Sequence, residues 1–262
     1  MTTTRSLLII GRHGMAPKNA DGSSQDSIND ASIQSMYASA QANLRPVVAE
    51  LGITPADTFL RWSGRVRTKY TAQATAIGAL DLFRGIVFGE ENVKTSPVPT
   101  SSSDLANFYY GNISTEEDLR LNFGDPLVNM AVYKATAGAG NIDYWLADPA
   151  ARTHDGSPIE SYQSVSDRTG HAIREAVRRV THDRKKLGIV VSHATIVEPT
   201  LIHLINSGRD TPVERVADIG GTFTQEERAL MTIYHSERGT DHIATLDVKG
   251  KLYEVNLRNL LR

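Results

Sequence analysis

The chain has 262 residues, with 28 Lys and Arg against 30 Asp and Glu for a formal net charge of −2. At about 150 residues per domain that length holds one large domain or two small ones. A content of 40% hydrophobic and 22% charged residues is globular, and it excludes a disordered tail, a collagen-like chain and a strongly basic nucleic-acid binder. With no cysteine, disulfide frameworks, iron–sulfur centres and cysteine nucleophiles are excluded too, which suits a reducing, cytoplasmic setting.

The first apolar run, Leu7-Leu8-Ile9-Ile10, is too short for a secretory core or a membrane span. Ended by Gly11, it predicts a strand buried on both faces. Residues 16–30 are polar, carry Pro17, Asp21, Gly22, Ser23 and Ser24, and predict a loop. Ile33, Met36, Tyr37, Ala40, Leu44, Val47, Val48 and Leu51 recur at helical spacing and predict one helix that stops at Gly52. Thr58-Phe59-Leu60 predicts a second strand, and residues 66–82 a second helix. Short extended segments are expected at 85–88 and 93–98.

The middle is less regular. Residues 116–135 predict helix broken by Gly124 and Pro126, and residues 137–160, with Gly138, Gly140, Pro149, Gly156 and Pro158, predict a loop-rich stretch over one end of the sheet. A helix is expected over 165–180. Ile189-Val190-Val191 after Gly188 is the clearest buried strand, and it runs into Ser192-His193. A helix over 196–205, with Pro199 in its first turn, and late strands at 229–234, 243–248 and 251–255 complete the series, with Lys249-Gly250 as a tight turn.

Strands alternating with helices argue an α/β three-layer sandwich, a mainly parallel central sheet with helices on both faces. The expected organisation is a single domain over 1–262 with a capping insert around 101–160. Sheets of this kind carry their sites beyond the carboxyl ends of strands. That rule selects Gly11-Arg12-His13-Gly14 and Ser192-His193.

Common nucleotide and protease motifs are missing. There is no Gly-x-x-x-x-Gly-Lys-Ser/Thr loop, no Gly-x-Gly-x-x-Gly after a strand, no His-Glu-x-x-His and no Gly-x-Ser-x-Gly. The densest basic group, Arg174, Arg178, Arg179, Arg184, Lys185 and Lys186, falls late in a helix, where cations complement the helix dipole and solvate a face.

What remains is cationic. Between the two strand-end histidines lies Ser63-Gly64-Arg65-Val66-Arg67-Thr68, a strand-to-helix junction with two arginines. Two arginines and two histidines around one cleft would trap a dianion, because guanidinium grips phosphate oxygens with a planar fork. Helix N-termini add backbone donors at the same place. Each residue alone reads as a surface charge or a satisfied strand-end polar group; the combination, at the face where function is expected, shifts the balance.

The segment Leu7-Leu8-Ile9-Ile10-Gly11-Arg12-His13-Gly14 resembles the signature of the histidine phosphatase superfamily, which includes the phosphoglycerate mutases. Ser63-x-x-x-Arg67-x-x-x-Thr71-Ala72 is similar to its second arginine motif, a spacing that selects Arg67 over Arg65. Gly156-x-x-x-Glu160-Ser161-Tyr162, followed by Arg168, resembles its Gly-Glu-Ser segment, and Val190-Val191-Ser192-His193 its second histidine motif. These matches run in family order from residue 7 to about 205.

The resemblance implies a phosphoglycerate mutase-like fold and metal-independent phosphomonoester hydrolysis, with no cofactor, on a small phosphorylated metabolite. His13 would attack phosphorus and become a phosphohistidine. Arg12, Arg67, Gly14 and His193 would hold the phosphoryl group, and an acid would protonate the leaving oxygen. The acid follows the strand after the second-arginine helix, which selects Asp104, with Glu90, Glu91, Glu116 and Glu117 as rivals. Mutase activity and a non-catalytic phosphate-binding scaffold stay open. The Ser and Trp-Asn continuation of the sugar-phosphate mutases is missing after Gly14, where Met15-Ala16-Pro17 stand, which favours a phosphatase. Neither nucleic acid nor membrane is an expected partner, and homo-oligomer formation is left open.

Overall fold

In the computed structural model, which describes residues 4–17, 20, 27–83, 90–102, 162–183, 185–224, 227–235 and 242–261, the run Leu7-Leu8-Ile9-Ile10 is the middle of β1 (Arg5–Arg12). β4 (Leu187–Ser192) lies beside it in parallel, and every residue of β4 is buried. β2 (Thr58–Trp62) pairs parallel with β4, and β3 (Thr100–Ser102) parallel with β2. On the other side of β1 the sheet continues as an antiparallel meander of β5 (Arg228–His235), β6 (His242–Val248) and β7 (Lys251–Val255). The strand order is β3-β2-β4-β1-β5-β6-β7. The parallel half therefore sits at one edge and the meander at the other.

Side chains alternate across the strands and build two cores. Leu8, Ile10, Phe59 and Val190 point to the face covered by α5 (Tyr162–Thr181), α6 (Ala194–Asn206) and α7 (Leu257–Leu261). Leu7, Ile9, Leu60, Ile189 and Val191 point to the opposite face, against α1 (Asp30–Asn43), α2 (Arg45–Glu50) and α3 (Val66–Ala79). These are the three layers expected. α3 is rich in small buried residues, and at Gly78 an added Cβ would lie 2.4 Å from the Tyr37 carbonyl oxygen of α1. Glycine there lets the two helices touch backbone to backbone. Among the described residues no helix is long and apolar enough to cross a membrane.

Three elements differ from the pattern reading. The single helix expected over 33–51 is two, α1 and α2, broken at Leu44. Pro46 sits in the first turn of α2; its ring excludes the carbonyl four residues back and its nitrogen has no proton, so the apolar spacing continues while the hydrogen bonds do not. The extended segment expected over 93–98 is instead α4 (Glu90–Lys94) followed by a turn, and the strand begins only at Thr100. Val93 is fully buried as a helical residue packed with Ile33, Met36 and Ile77, and Pro97 and Pro99 keep the next residues off a ladder. Pro199 stands inside α6, one turn later than expected, because the helix starts directly after His193. The Lys249-Gly250 turn has φ of 52° and 82°, the doubly left-handed geometry of a tight hairpin. The segment 85–88 and nearly all of 101–160 lie outside the described residues.

Candidate active site

The site follows from strand register. In the β1–β4 pair Arg12 stands opposite Ser192, and the His13 amide donates to the Ser192 carbonyl at 3.0 Å. His13 and His193 are therefore the next residues out from two neighbouring parallel strands, whose usual spacing is about 4.8 Å. Their ring centroids are 5.0 Å apart, edge to face. After β1 the chain leaves for the α1 face, and after β4 for the α6 face. This is a topological switch point, where open sheets leave a crevice.

Each side chain is fixed by a short set of contacts. His13 Nδ1 lies 2.7 Å from the Gly14 carbonyl oxygen, so Nδ1 donates and the lone pair is on Nε2. The Gly14 amide donates to Thr71 Oγ1 at 2.9 Å, and Thr71 Oγ1 donates to the Arg67 carbonyl at 2.8 Å. These two bonds tie the turn after β1 to the first turn of α3. The Met15 amide donates to Ser32 Oγ, which ties the same turn to α1. A Cβ on Gly14 would come within 2.6 Å of Ile28 Cδ1. A side chain there would have to displace the Ile28 tip and crowd Ser32, so close packing and not a left-handed backbone favours glycine.

Arg12, Arg65, Arg67 and His13 all act electrostatically on His193. Of the two arginines at the strand-to-helix junction, Arg65 is the exposed N-cap of α3 and Arg67 is half-buried in its first turn. His193 is 4% exposed and is the N-cap residue of α6. Burial, and after it the surrounding positive charge, pushes its imidazole down to about 3. His193 is thus neutral at ordinary pH among the side chains present. Arg12 donates from Nη1 to the Phe223 carbonyl at 2.7 Å.

The structure thus brings Arg12, His13, Gly14, Arg67 and His193 together at the carboxyl ends of β1 and β4. Asp104 lies outside the described residues, as do Glu116, Glu117 and most of the Gly156-to-Tyr162 motif. β3 ends at Ser102, at the same carboxyl end of the parallel strands as the histidines. The rival Glu91 is solvated, with its side chain 82% exposed and paired with Lys94. Of the other histidines, His235 contacts Ser6 Oγ through Nε2, His203 is half-buried on α6, and His171 and His182 are exposed.

Glu198 is a residue that the sequence reading did not single out. It is fully buried one turn into α6, and its Oε1 accepts the Phe223 amide at 2.7 Å. The Phe223 backbone, through its N–H on one side and its carbonyl on the other, therefore links this carboxyl to Arg12. A lone acid in the otherwise apolar stretch Ile196-Val197-Glu198-Pro199 was the available signal. Burial pushes its carboxyl up to about 7. Between its unfolded value of 4.5 and about 7 the native state holds a proton that the unfolded chain has lost, so stability falls as pH rises through that window. His193 has the opposite sign: its folded value is below its unfolded 6.5, so its contribution is lost as pH falls from there toward 3. Glu198→Gln is expected to remove the first slope, worth about 3 kcal/mol. Denaturant midpoints of the variant should rise more steeply with pH between about 4.5 and 6.5 than those of the wild type. Equal slopes in both proteins would show that Glu198 is ionised in the native state.

No family model and no curated relative matches this chain. Solved structures do. A mycobacterial hydrolase superposes with a TM-score of 0.54 at 15% identity, covering 94% of this chain and 99% of that one. Mycobacterial glucosyl-3-phosphoglycerate phosphatase in complex with inorganic phosphate gives 0.52 at 14% identity, over 94% and 97%. A phytase from Klebsiella sp ASR1 gives 0.51 at 12% identity, over 99% and 84%. The chain shares its fold, a three-layer α/β sandwich, with these structures.

Proposed function

We propose that the protein is a metal-independent phosphomonoesterase that works through a phosphohistidine on a small phosphorylated metabolite. One observation carries the reading: the Nδ1 proton of His13 is committed to the Gly14 carbonyl, which makes Nε2 the nucleophile beside a cationic crevice. His13 Nε2 forms a bond to phosphorus as the ester oxygen leaves in line. Arg12, Arg67 and His193 stabilise the charge on the phosphoryl oxygens in the transition state. Asp104, two residues past the end of β3, gives its proton to the leaving oxygen. The same carboxylate then takes a proton from water, which attacks the phosphohistidine and releases phosphate. Substrate selection we assign to the insert expected around 101–160 of a single domain. The absence of cysteine supports a cytoplasmic setting.

Turnover over a panel of phosphorylated metabolites, with and without a chelator, tests this. Phosphate release that the chelator leaves unchanged is expected. Transfer of the phosphoryl group to an isomeric product would assign a mutase. Phosphate or vanadate binding with no turnover of any ester would assign a binding scaffold.

A further inference from the structure

We propose that Ser63 and Thr68 are positioning residues that hold His193 as its Nε2–H tautomer, so that a phosphate dianion enters the site together with a proton on His193 Nδ1. The inference rests on reading the crevice as a phosphoryl site.

The order of protons carries it. Thr68 Oγ1 is 2.7 Å from the Arg65 carbonyl oxygen, which only accepts. The single hydroxyl proton of Thr68 is therefore spent there. Ser63 Oγ lies 3.1 Å from Thr68 Oγ1 and must be the donor of that pair. Its own proton is then spent too, so at 3.0 Å from His193 Nε2 it can only accept. The chain runs one way, His193 to Ser63 to Thr68 to Arg65, because a carbonyl ends it. All three side chains are buried, at 4%, 5% and 0% exposure, so bulk water does not compete for these bonds.

With its proton on Nε2, neutral His193 keeps a lone pair on Nδ1, which makes no hydrogen bond among the described residues. The groups around it are cations or neutral: Arg12 and His13 from the end of β1, and Arg65 and Arg67 from α3. They explain why the ring stays neutral while no anion is bound. A lone pair turned toward a phosphoryl oxygen is repulsive. A dianion reverses the balance, since it neutralises the arginines and offers an acceptor to an Nδ1 proton. The imidazole then becomes a double donor, to Ser63 on one side and to the anion on the other.

The experiment is the binding of inorganic phosphate at several pH values above its second ionisation, with calorimetry in buffers of different ionisation enthalpy. Wild-type protein is expected to take up about one proton per phosphate bound, with affinity falling about tenfold per pH unit. In Ser63→Ala the ring is released to adopt the Nδ1–H tautomer, and in Thr68→Val the Ser63 proton is free to turn toward Nε2. Both variants should bind phosphate with little proton uptake and a flattened pH slope. Ser63→Thr should restore the uptake. A merely structural role would change affinity without changing the proton count. Wild-type binding without proton uptake, or the same uptake in Ser63→Ala and Thr68→Val, overturns the tautomer assignment and leaves the phosphatase reading standing. Wild-type protein that binds no phosphate overturns both.

Discussion

His13→Ala removes phosphoryl labelling and hydrolysis together. With a phosphomonoester substrate carrying labelled phosphorus, wild-type protein should trap an acid-labile, base-stable phosphoprotein, and the variant should trap none. Steady-state turnover should fall by at least about 10⁴-fold, the loss expected when a covalent nucleophile is deleted and only binding and electrostatics remain. The expectation is this large because nothing else in the crevice can replace His13. His193 has its Nε2 proton on Ser63 and its basicity suppressed by burial and three arginines. The fold should survive the change. The His13 ring bonds the next peptide and meets the edge of His193, and its backbone bond to Ser192, which joins the ends of β1 and β4, needs no side chain. Near-wild-type turnover, or label that persists in the variant, would end the phosphohistidine mechanism.

The centre of the fold was legible because it is made of buried strands. Leu7 to Ile10 and Ile189 to Val191 are continuous apolar runs, and a strand covered on both faces leaves that trace. Their ends were legible too, since each run is followed within three residues by a histidine. That the two histidines are neighbours was not, because adjacency of β1 and β4 is a matter of strand order and no local pattern encodes it. The antiparallel half of the sheet illustrates the same limit. Each late strand was readable, yet their pairing as a meander beside β1 depends on register. Local chemistry overrode periodicity at Pro46, where a proline breaks a helix whose apolar spacing continues.

Around Val93 a β-branched residue followed by prolines suggested extended chain, and burial against Ile33 and Ile77 made it helical instead. The supporting residues were the least legible. Ser63 and Thr68 matter through the direction of their hydroxyl protons, which only a set of distances reveals. Glu198 is linked to Arg12 through the backbone of Phe223, 25 residues away in the chain from its own position.

Arg67→Ala should weaken both binding and chemistry, and Arg67→Lys should recover only part of the loss. Arg67 projects from the first turn of α3, where the helix N-terminus already favours an anion. Its backbone carbonyl is held by Thr71, which also carries the Gly14 amide, so the guanidinium is placed by the same bonds that place His13. A charge-assisted fork to phosphoryl oxygens in a half-buried site should contribute about 3 to 4 kcal/mol to the transition state, or roughly 10²- to 10³-fold in kcat/KM. Lysine keeps the charge but delivers one point donor in place of two parallel ones, so its kcat/KM should fall between those of alanine and wild type.

A second consequence separates this residue from a generic surface cation. Of the three arginines acting to keep His193 unprotonated, Arg67 acts most strongly. Removing it should raise the His193 value from about 3 toward the ordinary imidazole range, readable by NMR titration of the ring carbons. Arg65→Ala, at an exposed position and with a smaller influence, should move that titration less and leave kcat/KM within a few-fold of wild type. If Arg65→Ala proves as damaging as Arg67→Ala, the assignment of the phosphoryl-binding arginine by spacing is wrong, and the exposed N-cap residue, not the half-buried one, reaches the anion.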